Sequence, residues 1–186
     1  ISLPCFQGDN TEIWARLSNL TSGDGRGCFF MPEINDEVIV GFIDENPNNA
    51  VVLGSLFNKK MPPPNEINDD NNIKGFYFKS KIKFEFNEKD KIVTLETPGN
   101  NRFVMDDKNG SIEICDKNGN KITTNNKGIV IKSIGKLQLE ATSDLSIKGV
   151  NIKSEANASY KAEGKANTEI SSSGVTILKG SIVQIN

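Results

Sequence analysis

Histidine is absent from all 186 residues. Its absence removes Ser-His-Asp and Cys-His nucleophilic chemistry, imidazole-ligated zinc and any histidine pH switch. Cysteine is scarce. Cys5, Cys28 and Cys115 are odd in number and widely spaced, which fits neither a disulfide framework nor a Cys-x-x-Cys metal clip, and they read as buried free thiols. Basic excess is missing too: 22 Lys and Arg stand against 24 Asp and Glu, which argues against a nucleic-acid partner. No apolar run approaches the roughly 20 residues of a membrane-spanning helix, and no signal-peptide pattern opens the chain.

The scarcity is uneven. Twelve of the 13 aromatic residues lie at or before Phe103, and all seven prolines lie at or before Pro98. The second half has almost no large side chains with which to fill an ordinary core. Its β-branched residues and mixed charges nevertheless separate it from a disordered tail. It must bury its apolar groups in a thin, repetitive way.

What is present is β-rich throughout, and no segment shows a sustained helical period with caps. The first half alternates short apolar runs with Gly, Pro and Asn clusters, as in a barrel or sandwich. Ile13–Leu17, Glu37–Ile43 and Ala50–Leu56 are its strands, with the Gly-rich turn Ser22–Gly27 between the first two. Pro62-Pro63-Pro64 and the Asn/Asp cluster after it predict a linker over 62–79. Beyond it, Ile82–Phe86, Ile92–Leu95 and Arg102–Met105 alternate as strands, and Asn109-Gly110, Asn118-Gly119 and Lys127-Gly128 mark the turns.

An internal repeat starts at about residue 129. Ile129/Ile131, Leu137/Leu139 and Leu145/Ile147 recur every eight residues. The phase shifts near Lys148-Gly149, and Val150, Ala158, Ala166, Gly174 and Ile182 resume the step. An octad holds one short strand and one corner, and its apolar row is too thin to form a core alone. Stacked octads of several chains make a narrow prism with an apolar axis, in which Ala158 and Ala166 suit a crowded centre. The expected class is therefore all-β: a barrel or sandwich, then an intertwined trimeric triangular β-helix, or prism, with a single-chain parallel β-helix as the alternative that the short period disfavours. Ile129, Ile131, Leu137, Leu139, Leu145, Ile147, Val150 and Ile152 are expected in the trimer core.

Motifs that imitate chemistry fail on context. Gly23–Gly27 lacks the third glycine and the helix of a dinucleotide loop. The Asp-Lys-Asn-Gly turns place no acid at the first calcium ligand. The acid pairs Asp44/Glu45, Asp69/Asp70 and Asp106/Asp107 sit in polar turns with no pocket to raise one pKa. No catalytic residue, metal ligand or cofactor is expected.

Three stretches carry a resemblance: Trp14-Ala15-Arg16, Phe29 through Val40, and Pro47 through Asn58. They resemble the OB-fold module of the VgrG family, the spikes of type VI secretion, which are similar to contractile phage and extracellular injection spikes. The proline run at 62–64 falls where that family has one. Thr97-Pro98-Gly99, Phe103–Asp107 and Ile112-Glu113-Ile114 look like the start of its β-helical needle. The resemblance implies an OB module over 1–61, a linker over 62–79 and a needle over 80–186. It also implies a hub module before Ile1, which would meet tube and baseplate proteins, so the chain reads as a C-terminal fragment.

The expected function is a non-enzymatic homotrimeric piercing spike, carrying a tip protein or effector and meeting the target membrane mechanically. It would be assembled in the bacterial cytoplasm and then secreted or injected. Ile182, Val183, Gln184, Ile185 and Asn186 would form a platform for a PAAR-repeat tip protein. The alternative is a receptor-binding fibre or adhesin tip, for which Tyr160 is the sole aromatic anchor available.

Overall fold

The computed structural model describes residues 1–3 and 12–185; Cys5 and Asn186 lie outside the described residues. Strands dominate, and helix is limited to two three-residue 3-10 turns, Ile43–Glu45 and Pro47–Asn49. The described chain is all-β in that sense. It divides into two units, residues 1–137 and residues 138–186.

The N-terminal part of the first unit is built on β1 (Arg16–Leu17), β4 (Glu37–Phe42) and β5 (Ala50–Leu56), in sheet order β1-β5-β4. β2 (Ser22–Gly23) and β3 (Arg26–Gly27) form a separate hairpin, turned by Gly25 at φ +60°. Ile1 pairs with Ile13 through both backbone hydrogen bonds. β4 and β5 match the expected strands closely because their β-branched runs are bounded by Asn and Pro turns. Asp44 and Glu45 both take the left-handed conformation there, and the Asn46 side chain accepts from the Asn48 amide at 3.0 Å. Leu53 is bulged out of the β4–β5 ladder, between the Ile39–Gly54 and Val40–Val52 pairs. One expected strand shrinks: Ile13–Leu17 contributes only the two residues of β1, and residues 28–31 after the β2–β3 hairpin carry no strand.

A seven-stranded antiparallel meander follows: β6 (Ile73–Tyr77), β7 (Lys83–Asn87), β8 (Ile92–Glu96), β9 (Arg102–Asp106), β10 (Ser111–Cys115), β11 (Lys121–Asn125) and β12 (Gly128–Lys132). Each strand pairs with the next in order. The predicted linker over 62–79 therefore contains a strand. Gly75 obscures β6 in the sequence by removing the middle side chain of Ile73-x-Gly75-x-Tyr77. It is needed there, since a β-carbon at 75 would lie 2.4 Å from the Phe84 carbonyl oxygen. Cys28 and Cys115 are free thiols, half-buried rather than buried.

The second unit has no assigned strand among its described residues, and each of them is exposed. Bends punctuate it at 142–143, 150–151, 157–158, 165–166 and 173–174, continuing the bend at 134–135. Steps between bends are eight residues, except for the seven-residue step between 150–151 and 157–158. The phase shift thus sits a few residues after the expected Lys148-Gly149. Ala158, Ala166 and Gly174 each close a bend, so these octad marks fall at the corners of the repeat.

Candidate functional site

A strand alternates its side chains between two faces, and register partners share a face. Applied to the meander, this sorts its residues sharply. One face carries the cross-strand row Phe76, Phe84, Leu95, Phe103, Ile114, Ile122 and Ile131. The neighbouring row on that face is Lys74, Phe86, Val93, Met105, Ile112, Thr124 and Ile129. Twelve of the 14 positions are apolar. Phe84 and Phe86 touch along β7, with ring centroids 4.6 Å apart.

The opposite face is a charged ladder. Lys83 pairs with Glu96 at 3.2 Å, and Glu113 holds both Arg102, at 2.9 Å, and Lys121. The Lys121 ammonium, followed by Arg102, keeps the Glu113 carboxyl below its ordinary range despite partial desolvation. The Tyr77 hydroxyl donates to Glu85 at 2.9 Å and accepts from Asn65 at 2.6 Å. Burial raises its pKa. Such a ladder is content in water; the apolar face is not.

Among the described residues nothing covers that apolar face fully. Ala50 and Val52 are the only apolar side chains more than nine-tenths buried among the described residues. The chain exposes 17212 Å², roughly twice the ~8,800 Å² of a compact protein of 20.4 kDa. Large exposed apolar patches mark surfaces made for association.

The expected core residues distribute as follows. Ile129 and Ile131 lie on the apolar face of β12. In the extended segments after it, contacts two residues apart identify the polar side. Gln138 donates to Glu140 at 3.0 Å, which leaves Leu137 and Leu139 together on the other side. Lys153 pairs with Glu155 at 2.6 Å, leaving Ile152 opposite. Leu145 and Ile147 flank Ser146 in the same alternation, while Val150 falls at a bend. The residues that sequence reasoning missed are those of β6 through β11. Their signal was the alternation in Lys83-Phe84-Glu85-Phe86 and Ile112-Glu113-Ile114, which was read for strands but not for a shared apolar surface. Ile182, Val183, Gln184 and Ile185, expected to form a platform, are exposed and carry no strand. No group of three acidic or thiol side chains able to hold a metal converges among the described residues.

Residues 1–57 match the type VI secretion system/phage-baseplate injector OB domain. Residues 91–158 match the phage baseplate V C-terminal trimerisation domain. Among curated proteins, the type VI secretion system spike proteins VgrG1a and VgrG1c of Pseudomonas aeruginosa are each 30% identical over 59 residues, or 32% of this chain. VgrG5 of the same organism is 32% identical over a stretch of the same length. The matched stretch covers 9%, 8% and 8% of those relatives, so the chain corresponds to a small part of their length. The two domain matches, in this order and flanking the proline run, place the chain in the VgrG and phage-baseplate spike family.

Proposed function

We propose that the chain forms a non-enzymatic homotrimeric spike of a contractile injection machine, with an OB-type collar leading into a triangular β-prism. The carrying observation is the continuous apolar face of β6–β12, which has no full cover among the described residues. A second copy and a third, related by a three-fold axis, would bring three such faces together and leave three charged ladders outside. The bends every eight residues support the same reading for residues 138–185. A chain that makes corners without making strands needs other chains to pair with, and stacked layers from three chains would close the open edges.

The mechanism is mechanical. Contraction supplies force, and the shaft resists bending because every layer is shared. Tube and baseplate proteins would be its partners within the machine. A PAAR-repeat tip protein, with or without an effector, would sit on residues 182–186. Assembly in the bacterial cytoplasm followed by secretion or injection completes the proposal.

A receptor-binding fibre is less well supported. The ion pair of Lys161 with Glu163 turns Tyr160 to the same side as Ala162, away from the charged side, so the one aromatic anchor points toward the proposed axis.

Molar mass in solution tests the reading. Light scattering on the full chain should give three times the 20.4 kDa of one copy. A stable monomer would overturn it.

A further inference from the structure

Residues 117–139 contain five lysines and no acidic residue. The fold gathers four of the five at one end of the meander. Lys121 and Lys132 are register partners on β11 and β12. Lys117 lies in the 116–120 turn that leads into β11. The bend after β12 is fastened to that same turn, where the Ile134 amide donates to Asn120 Oδ1 at 2.9 Å. The Ser133 hydroxyl donates to the Lys136 carbonyl at 3.2 Å, which holds Lys136 in the bend that follows β12. Lys127 alone is at the opposite end, in the β11–β12 turn.

Nearby acids are already engaged. Glu113 serves both Arg102 and Lys121. Asp116 accepts four hydrogen bonds from its own turn, from the amide and side chain of Asn118 and of Asn120, at 2.7–3.2 Å. Lys117, Lys132 and Lys136 have no ion-pair partner among the described residues. Like charges directly opposite one another weaken an antiparallel pair, and Lys121 opposite Lys132 is such a pair. Lys121 is offset by Glu113, but Lys132 beside it has no such offset among the described residues, which leaves its charge available to a partner outside the fold.

We propose that Lys117, Lys132 and Lys136 bind the anionic phospholipid headgroups of a bilayer. Clustered lysines beside a membrane gain from its negative surface potential without needing a shaped pocket. Ile134 is exposed between Lys132 and Lys136 and suits the boundary between headgroup and acyl chain. A single-stranded nucleic acid fits less well, because it would call for aromatic platforms and no aromatic residue lies between Phe103 and Tyr160. The inference deepens the spike reading by naming the surface chemistry of its shaft. It rests on that reading for three-fold repetition of the cluster.

Vesicle flotation of the full chain tests it, with phosphatidylglycerol-containing vesicles compared with pure phosphatidylcholine and the oligomeric mass measured on the same sample. Binding should favour the anionic vesicles at least ~10-fold and fade at about 0.5 M salt. Lys117→Gln/Lys132→Gln/Lys136→Gln should lose that preference while keeping the trimer mass. Lys59→Gln/Lys60→Gln/Lys89→Gln, the same charge change elsewhere, should keep it. A trimer with no lipid preference, a triple variant that still prefers anionic vesicles, or tighter binding to a labelled oligonucleotide would overturn the lipid proposal alone. A monomeric wild type would overturn it together with the spike reading.

Discussion

Phe30 lies flat against Phe76, with ring centroids 5.6 Å apart and planes 16° from parallel. Phe30 also stacks on Phe78, with ring centroids 6.0 Å apart. Phe30 belongs to the unpaired run after the β2–β3 hairpin, whereas Phe76 opens a row of the apolar face. The stack therefore ties the OB-type part to the meander across the proline run, and Glu33 reaches Lys79 at 3.4 Å beside it. Phe30→Ala should lower stability by about 1–2 kcal/mol, the value of a partly exposed aromatic stack. Phe29→Ala should be near neutral, because Phe29 is 85% exposed against 51% for Phe30. Equal thermal shifts for the two variants would contradict this assignment.

Charge placed on the apolar face should prevent assembly. Ile114→Asp, Ile131→Asp or Leu139→Asp would set three carboxylates together on a dry axis, where unpaired charge is prohibitive. Thr123→Asp and Lys132→Asp, on the ladder face of β11 and β12, should leave the trimer mass unchanged. Light scattering separates the classes; identical behaviour would reverse the assignment of inside and outside.

Glycine substitutions should discriminate between crowded and open backbone. A β-carbon at Gly164 would lie 2.1 Å from the Asn167 carbonyl oxygen, and one at Gly75 2.4 Å from that of Phe84. Neither can be accommodated without moving backbone. Gly164→Ala and Gly75→Ala should each cost more than about 1 kcal/mol. Gly135→Ala, with nothing within 4 Å, should be silent in the same melting experiment.

Acid should act through Glu113. Its folded-state pKa is lowered, chiefly by Lys121, so its contribution is complete above the ordinary glutamate value of 4.5. That contribution is lost as pH falls through the lower folded value. Glu113→Gln should therefore be less stable than the wild type at neutral pH, and the two curves should converge in acid. Denaturant midpoints measured from pH 7 down to about 3 check the sign; a gap that widens in acid would refute it.

At the far end, deletion of 182–186 should preserve the trimer and abolish co-purification of a PAAR-repeat protein. Capture at full strength by the truncated chain would place the partner site elsewhere.

Local order was legible wherever β-branched runs met strong turn residues. β4, β5, β8 and β9 fall within a residue or so of their sequence signals, because Asn-Gly, Pro-Asn and Thr-Pro turns leave few alternatives. β6 was not legible, since a glycine demanded by close backbone approach removed its alternation and an Asn cluster surrounded it. The apolar face was visible only in pieces. Each strand offers two or three apolar residues, and their union depends on register, which turn lengths set across seven strands. That Ala158 and Ala166 fall at bends was not legible for a related reason. A small residue serves a tight corner as well as a crowded axis, and composition cannot separate the two.

In the proposed three-chain prism, the seven-residue step between the bends at 150–151 and 157–158 would act as an index mark. A column of identical layers would let one strand of a three-ply cord slide by a full layer and find every contact restored. One shorter layer would break that equivalence. A chain displaced by one unit would set its short layer against long ones above and below, with polar side chains turned where apolar ones belong. The irregularity would thus select a single alignment of the three plies, as one odd tooth fixes the phase of a gear.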